Sequence, residues 1–135
     1  MVEKIVVASG KRKRAIARAT LKRGKGRIRI NTKPLSMFEP IIAREKIKEA
    51  IYLAGDHVKN LDIRVNVSGG GIMGQAEASR LAIARGLIEF TKDKKLEKTF
   101  LEYDRHLLVA DVRRKEARKP NTAGGARGKV QKSYR

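Results

Sequence analysis

The last 23 residues, 113–135, most constrain what this chain can fold into, because they cannot join a core. They carry nine Lys or Arg, one acid (Glu116) and one large aliphatic residue (Val130). So little apolar surface cannot offset the entropy of ordering the backbone. The segment is therefore predicted to be disordered alone and to need a polyanionic partner. A folded body must come from residues 1–112, which suffice for one two-layer core. That body is basic as well. Of the net charge of +19 the tail holds +8, and the body, with 24 cations against 13 acids, holds +11. Such a balance points to nucleic acid or an anionic membrane. No stretch is long and apolar enough to span a bilayer, and no helical pattern pairs a bulky apolar face with a Lys/Arg face and Trp anchors. Nucleic acid is the better reading. Cysteine is absent, which excludes disulfides and thiolate metal sites. The first residues lack the long apolar core of a secretory signal, so a cytoplasmic protein is expected.

Along the body, residues 2–8 are apolar and β-branched and predict a strand, with Ser9-Gly10 beginning a turn. Lys11-Arg12-Lys13-Arg14 follows, leading into a segment with one clean face. Ala15, Ala17, Ala19 and Leu21 fall on one side; Ile16, Arg18, Thr20 and Lys22 fall on the other. Arg23-Gly24-Lys25-Gly26 suggests a hairpin loop, and Arg27-Ile28-Arg29-Ile30 a return strand. No acid occurs between Glu3 and Glu39. A merely solvated surface mixes both signs, so the outer face of this hairpin is predicted to contact phosphates.

Residues 34–38 suit one helical turn. Ala43, Ile47, Ala50, Ile51 and Ala54 recur at helical spacing after Pro40 and stop at Gly55. Leu61, Ile63, Val65 and Val67 alternate with Asp62, Arg64, Asn66 and Ser68, which predicts a half-buried strand. A helix follows with Ile72, Ala76, Ser79, Ile83, Leu87 and Phe90 on one stripe and Arg80 and Arg85 off it. Residues 94–103 predict a last short helix with Leu96, Phe100 and Leu101 inward, and residues 107–112 a weak strand.

Gly69-Gly70-Gly71-Ile72-Met73-Gly74 fits the dinucleotide fingerprint and follows a strand. Its surroundings do not fit, since three strands and a helix precede it and only one weak strand follows. Gly69 and Gly74 also have phosphate-loop spacing, but Gln75 and Ala76 stand where Lys and Ser or Thr are required. A tight strand-to-helix connection is the better reading, one whose helix N-terminus can hold an RNA phosphate. Neither His57 nor His106 has metal-ligand spacing, and the acids are scattered beside bases. No catalytic or metal constellation, cofactor or small-molecule substrate is expected. The six aromatic residues lie mostly in helical patterns, so a base-stacking platform is missing. Recognition of folded RNA by shape and phosphate is expected, strongly salt-dependent. A nucleotide-binding domain using Gly69–Gly74 and a nonspecific basic RNA-binding protein are the competing readings.

The segments 10–18, 24–31, 69–76 and 83–87, with the ending Gln131-Lys132-Ser133-Tyr134-Arg135, together resemble the universal small-subunit ribosomal protein nine family. The ending resembles its archaeal and eukaryotic members. Residues 118–123 and 128–130 depart from the pattern. The resemblance implies an α/β (α+β) two-layer sandwich in the order β-β-β-α-β-α. It also implies a left-handed crossover as in the second domain of ribosomal protein five, and a long extended basic tail. It implies a non-catalytic constituent of the small subunit, beside neighbouring head proteins. Ribosomal RNA contacts would fall on Lys11, Arg12, Lys13, Arg14, Arg18, Lys22, Arg23, Lys25, Arg27 and Arg29. Gly70, Gly71 and Gln75 would join them, as would Arg113, Arg114, Lys115, Arg118, Lys119, Arg127 and Lys129 on the tail. Lys132, Ser133, Tyr134 and Arg135 would approach the anticodon stem-loop of the peptidyl-site tRNA.

Overall fold

Period-two alternation makes the first two strands. In the computed structural model of the chain, which describes residues 3–121 and 125–129, β1 (Ile5–Arg12) and β2 (Ala15–Arg23) form an antiparallel hairpin. Pairing runs from Ile5 opposite Lys22 to Arg12 opposite Ala15, which leaves Lys13 and Arg14 as the whole connection. Val6, Ala8, Gly10, Ala15, Ala17, Ala19 and Leu21 are buried on one face. The strand runs straight through Ser9-Gly10, where the dipeptide suggests a turn. Gly10 is there for packing: a Cβ would lie 2.3 Å from the Ala78 carbonyl oxygen and 2.7 Å from the Ala82 amide nitrogen of the helix that crosses it.

The predicted second hairpin does not form. β3 (Ile28–Ile30) is antiparallel to β2 but not beside it, because β5 (Leu61–Ser68) lies between them. β5 pairs antiparallel with β2 from Ile16–Ser68 to Arg23–Leu61, and parallel with β3 at Ile28–Ile63, Arg29–Arg64 and Ile30–Val65. A short edge strand β4 (Lys33–Pro34), absent from the predicted order, closes the far side and gives the sheet order β1-β2-β5-β3-β4. The reason is burial. β5 brings Leu61, Ile63, Val65 and Val67, all buried, to the sheet centre, whereas β3 buries only Ile30 fully. Crossing one strand requires about 10 Å, within reach of a four-residue loop. Asn31 then extends the parallel ladder with its side chain. Its Nδ2 donates to the Val67 carbonyl at 2.9 Å, and its Oδ1 accepts from the Val67 amide at 2.8 Å.

All three helices lie on the buried face of the sheet. α1 (Ile41–Ala54) turns Ala43, Ile47, Ala50 and Ala54 inward and stops at Gly55, whose φ is 58°. α2 (Ile72–Thr91) packs on β1 and β2 and is in turn covered by α1, so it is buried well beyond one stripe. Its ends depart from the predicted pattern: Ile72 is exposed and Phe90 only half-buried. Arg80 in its middle is 6% exposed, and its guanidinium meets Glu49 of α1 and Asp104, the latter at 3.4 Å. α3 (Lys94–Tyr103), capped by Asp93 accepting from the Lys95 amide, inserts Leu96 and Phe100 but leaves Leu101 45% exposed. The weak strand predicted at 107–112 is instead a 3₁₀ turn, Arg105–Leu107, followed by irregular chain. Asp104 caps that turn by accepting from the His106 amide at 2.9 Å, and Leu107 completes the core. The architecture is a mixed α+β fold: a five-stranded sheet with helices on one side and an open face on the other.

Candidate nucleic-acid interface

Strand register sorts the cations of the open face into rows. Val7 lies opposite Thr20, Thr20 opposite Arg64, and Arg64 opposite Arg29. The next rows are Ser9–Arg18–Asn66, Lys11–Ile16–Ser68 and Ile5–Lys22–Asp62. Lys11, Arg18, Lys22, Arg29 and Arg64 are all exposed there, and Asp62 is the one acid in those rows. Arg29 and Arg64 are direct neighbours of like sign, an arrangement that destabilises an isolated sheet and favours an anionic partner. Arg64 is missing from the sequence-derived residues, although the alternation of β5 already placed it on the outer side. The open face carries no aromatic ring among the described residues; the exposed Tyr52 and Tyr103 belong to the helix layer.

Asp62 bonds to the loop backbone, although its charge still acts on Lys22 and Arg27. Its Oδ1 accepts from the amides of Lys25 at 3.0 Å and Arg27 at 3.1 Å, while the Gly24 amide donates to the Asn60 carbonyl at 2.9 Å. The loop is thereby held with Arg23, Lys25 and Arg27 exposed. Donation by the Arg27 amide, then by that of Lys25, holds the Asp62 carboxyl below its ordinary range. Because the folded value is depressed, this contact stabilises the loop above the usual Asp range and is lost as pH falls through the lowered value. An NMR titration should show the Lys25 and Arg27 amides shifting with a midpoint below ~3.9. Asp62→Asn should abolish that titration; a midpoint at or above 3.9 contradicts the assignment.

The basic run 11–14 is divided by the strand pleat and the turn. Lys11 faces the open side. Arg12 faces the helices, where its Nε lies 2.7 Å from Glu77 and its Nη1 meets Asp111. Lys13 and Arg14 occupy the turn and line a cleft of about 1060 Å³ with residues 70–74, Glu77 and residues 113–115. Three segments distant in sequence thus meet. Gly69, at φ 78°, permits the meeting, since a Cβ there would lie 2.6 Å from the Arg14 carbonyl oxygen. Gln75 donates from Nε2 to the Gly69 carbonyl at 3.1 Å. Gly71 caps α2 without a side-chain bond, so the amides of Ile72, Met73 and Gly74 at the cleft have no acceptor within the helix. That end carries the positive pole of a 20-residue helix.

Arg113, Arg114, Lys115, Arg118, Lys119 and Lys129 are exposed, and exposed Arg127 makes a bidentate pair with Glu116 at 2.9 and 3.2 Å. Lys132, Ser133, Tyr134 and Arg135 lie outside the described residues. His57 lies 3.3 Å from the Asp93 carboxylate, and His106 Nδ1 is 3.3 Å from the Val109 carbonyl. Among the described residues no group of three or more His, Cys, Asp or Glu could hold a metal ion, and no helix is long and apolar enough to cross a membrane. The glycine turn follows a central strand with only one parallel neighbour, and Gly69 and Gly70 are occupied in packing on Arg14 and Ala15. That context does not support the dinucleotide alternative.

An α+β domain with one open, cation-studded sheet face and a cationic cleft belongs to the class of polyanion-binding proteins that work by charge and shape. Residues 10–135 match the family described as ribosomal protein S9/S16. The chain is 54% identical over 132 residues, 98% of its own length and 99% of the relative's, to small ribosomal subunit protein uS9 of the archaeon Methanothrix thermoacetophila. It therefore belongs to the ribosomal protein S9 family, whose members are structural, non-catalytic, RNA-binding constituents of the small subunit.

Proposed function

We propose that this protein binds ribosomal RNA of the subunit head through the open sheet face and the cleft at the start of α2, in the cytoplasm and beside neighbouring head proteins. The observation that carries the proposal is the set of registered cation rows, Arg18, Arg29, Arg64, Lys11 and Lys22, with one acid among them that is bonded to backbone amides. Phosphate contacts of this kind position a protein on folded RNA without reading bases. Residues 1–112 form the body, and on RNA the Glu116–Arg127 pair opens so that residues 113–135 run as an extended basic tail. The family resemblance supports a left-handed crossover between β3 and β5, as in the second domain of ribosomal protein five.

The tail tip, Lys132, Ser133, Tyr134 and Arg135, approaches the anticodon stem-loop of the peptidyl-site tRNA. Support comes from the match to the family, which runs to residue 135. Extended chain rises ~3.3 Å per residue, so a 23-residue tail reaches about 75 Å. Deleting residues 131–135 should leave incorporation into small subunits intact. It should raise the dissociation constant of peptidyl-site tRNA about tenfold, the loss of one charge-assisted contact of ~1.5 kcal/mol. Unchanged tRNA affinity in subunits carrying the truncated protein would falsify the role of the tip.

A further inference from the structure

Asp111 is an acid bonded to two residues that line the cationic cleft, Arg12 and Arg113, and its bonding explains why it is there. Its side chain is 12% exposed although it stands two residues before the tail. Oδ2 accepts from Arg12 Nη1 of β1 and from Arg113 Nη2 at 2.9 Å, and Oδ1 accepts from the Arg113 amide at 3.0 Å. Its carbonyl accepts from Arg114 Nη1 at 3.0 Å. Arg12 is itself anchored to Glu77 of α2 at 2.7 Å. Three residues upstream, the Leu108 carbonyl accepts from Arg85 Nε at 2.9 Å, and Arg85 Nη1 reaches the Ser9 carbonyl of β1 at 3.1 Å. The exit of the chain is therefore tied to both β1 and α2, and Arg113, Arg114 and Lys115 line the same cleft as Lys13 and Arg14.

We propose that Asp111 is a positioning residue that aims the base of the tail across the cleft, so that tail and turn cations meet one run of RNA phosphates as a preformed set. This rests on the RNA-binding reading above. Donation from the Arg113 side chain, then from its amide, keeps the carboxyl ionised far below the usual Asp range, with Arg12 adding to the effect. A segment already held in its bound course loses less entropy on binding, and affinity rises accordingly. Charge alone predicts the opposite sign, because an acid beside a polyanion site weakens attraction.

The two effects separate in Asp111→Ala, measured in the full chain against a transcript of small-subunit head RNA and an unrelated RNA duplex of equal length. Positioning predicts about tenfold weaker binding to the head RNA and equal or tighter binding to the unrelated duplex. Asp111→Asn keeps the shape and one acceptor, so it guards against misfolding and should fall between Ala and the parent on the head RNA. If the parent shows no preference for head RNA, the RNA-binding reading fails. If the parent prefers head RNA and both variants bind it as tightly or more tightly, Asp111 is only a charge and the positioning role is overturned. Equal weakening on both RNAs by both variants likewise overturns it.

Discussion

Replacing Arg18, Arg29 and Arg64 together by alanine is expected to lower affinity for head RNA several hundredfold at 0.1 M salt, at about eightfold to tenfold per lost phosphate contact. The slope of log K against log salt should flatten by about 2.1–2.7 units, so the loss between 50 and 200 mM salt shrinks by about 20–40-fold. Titrations at four salt concentrations measure both. Stability should move the other way or not at all. The three side chains are exposed, and removing the facing pair Arg29 and Arg64 relieves like-charge repulsion across parallel strands. Unchanged RNA affinity with an unchanged salt slope would move the interface off the sheet and onto the cleft and tail.

Gly10→Ala should produce the largest stability loss from a single methyl group. The added carbon would meet the Ala78 carbonyl oxygen at 2.3 Å and the Ala82 nitrogen at 2.7 Å, both of them backbone atoms of α2. No side chain can swing away, so β1 and α2 must separate by about 1 Å to restore normal contact. That loosens the most extensive helix-to-sheet packing in the fold. The expected cost is about 3 kcal/mol, which lowers the melting temperature by about 10 °C. Gly71→Ala is the control, since nothing lies within 4 Å of a Cβ there and its φ is −97°. Its cost should stay within about 1 kcal/mol, the scale of an N-cap change. Equal melting temperatures for the two variants would contradict the close approach of β1 to α2.

Much of the fold is legible along the chain because strand and helix faces are set by local period. The inward residues of β2 and β5 follow directly from alternation, as does the inner stripe of α1 from helical spacing. Errors arise where a residue answers to a distant one. Ser9-Gly10 has the composition of a turn, yet Gly10 is small because Ala78 and Ala82 pass over it. Ile28–Ile30 follows a glycine-rich loop and looks like the return arm of a hairpin, yet β5, arriving some thirty residues later, takes the place beside β2. Arg80 lies off the apolar stripe but is buried, because Glu49 and Asp104 come to it from other elements.

The sequence by itself determined that the chain is basic in its first 112 residues as well as its last 23, that β2, β5, α1, α2 and α3 lie close to where residue period places them, and that no acid interrupts residues 4–38. Composition and period are local sums, so they need no knowledge of neighbours. Only the tertiary structure decided which cations lie side by side. Strand order places Arg64 beside Arg29, and the glycine turn brings Lys13 and Arg14 against the start of α2. The run 11–14, continuous in the chain, becomes one open-face lysine, one arginine tied to Glu77 and Asp111, and two turn residues at the cleft. The tail, which first required some polyanion, acquires a defined starting direction from Asp111. That direction depends on hydrogen bonds spanning about a hundred residues, and no local pattern carries them.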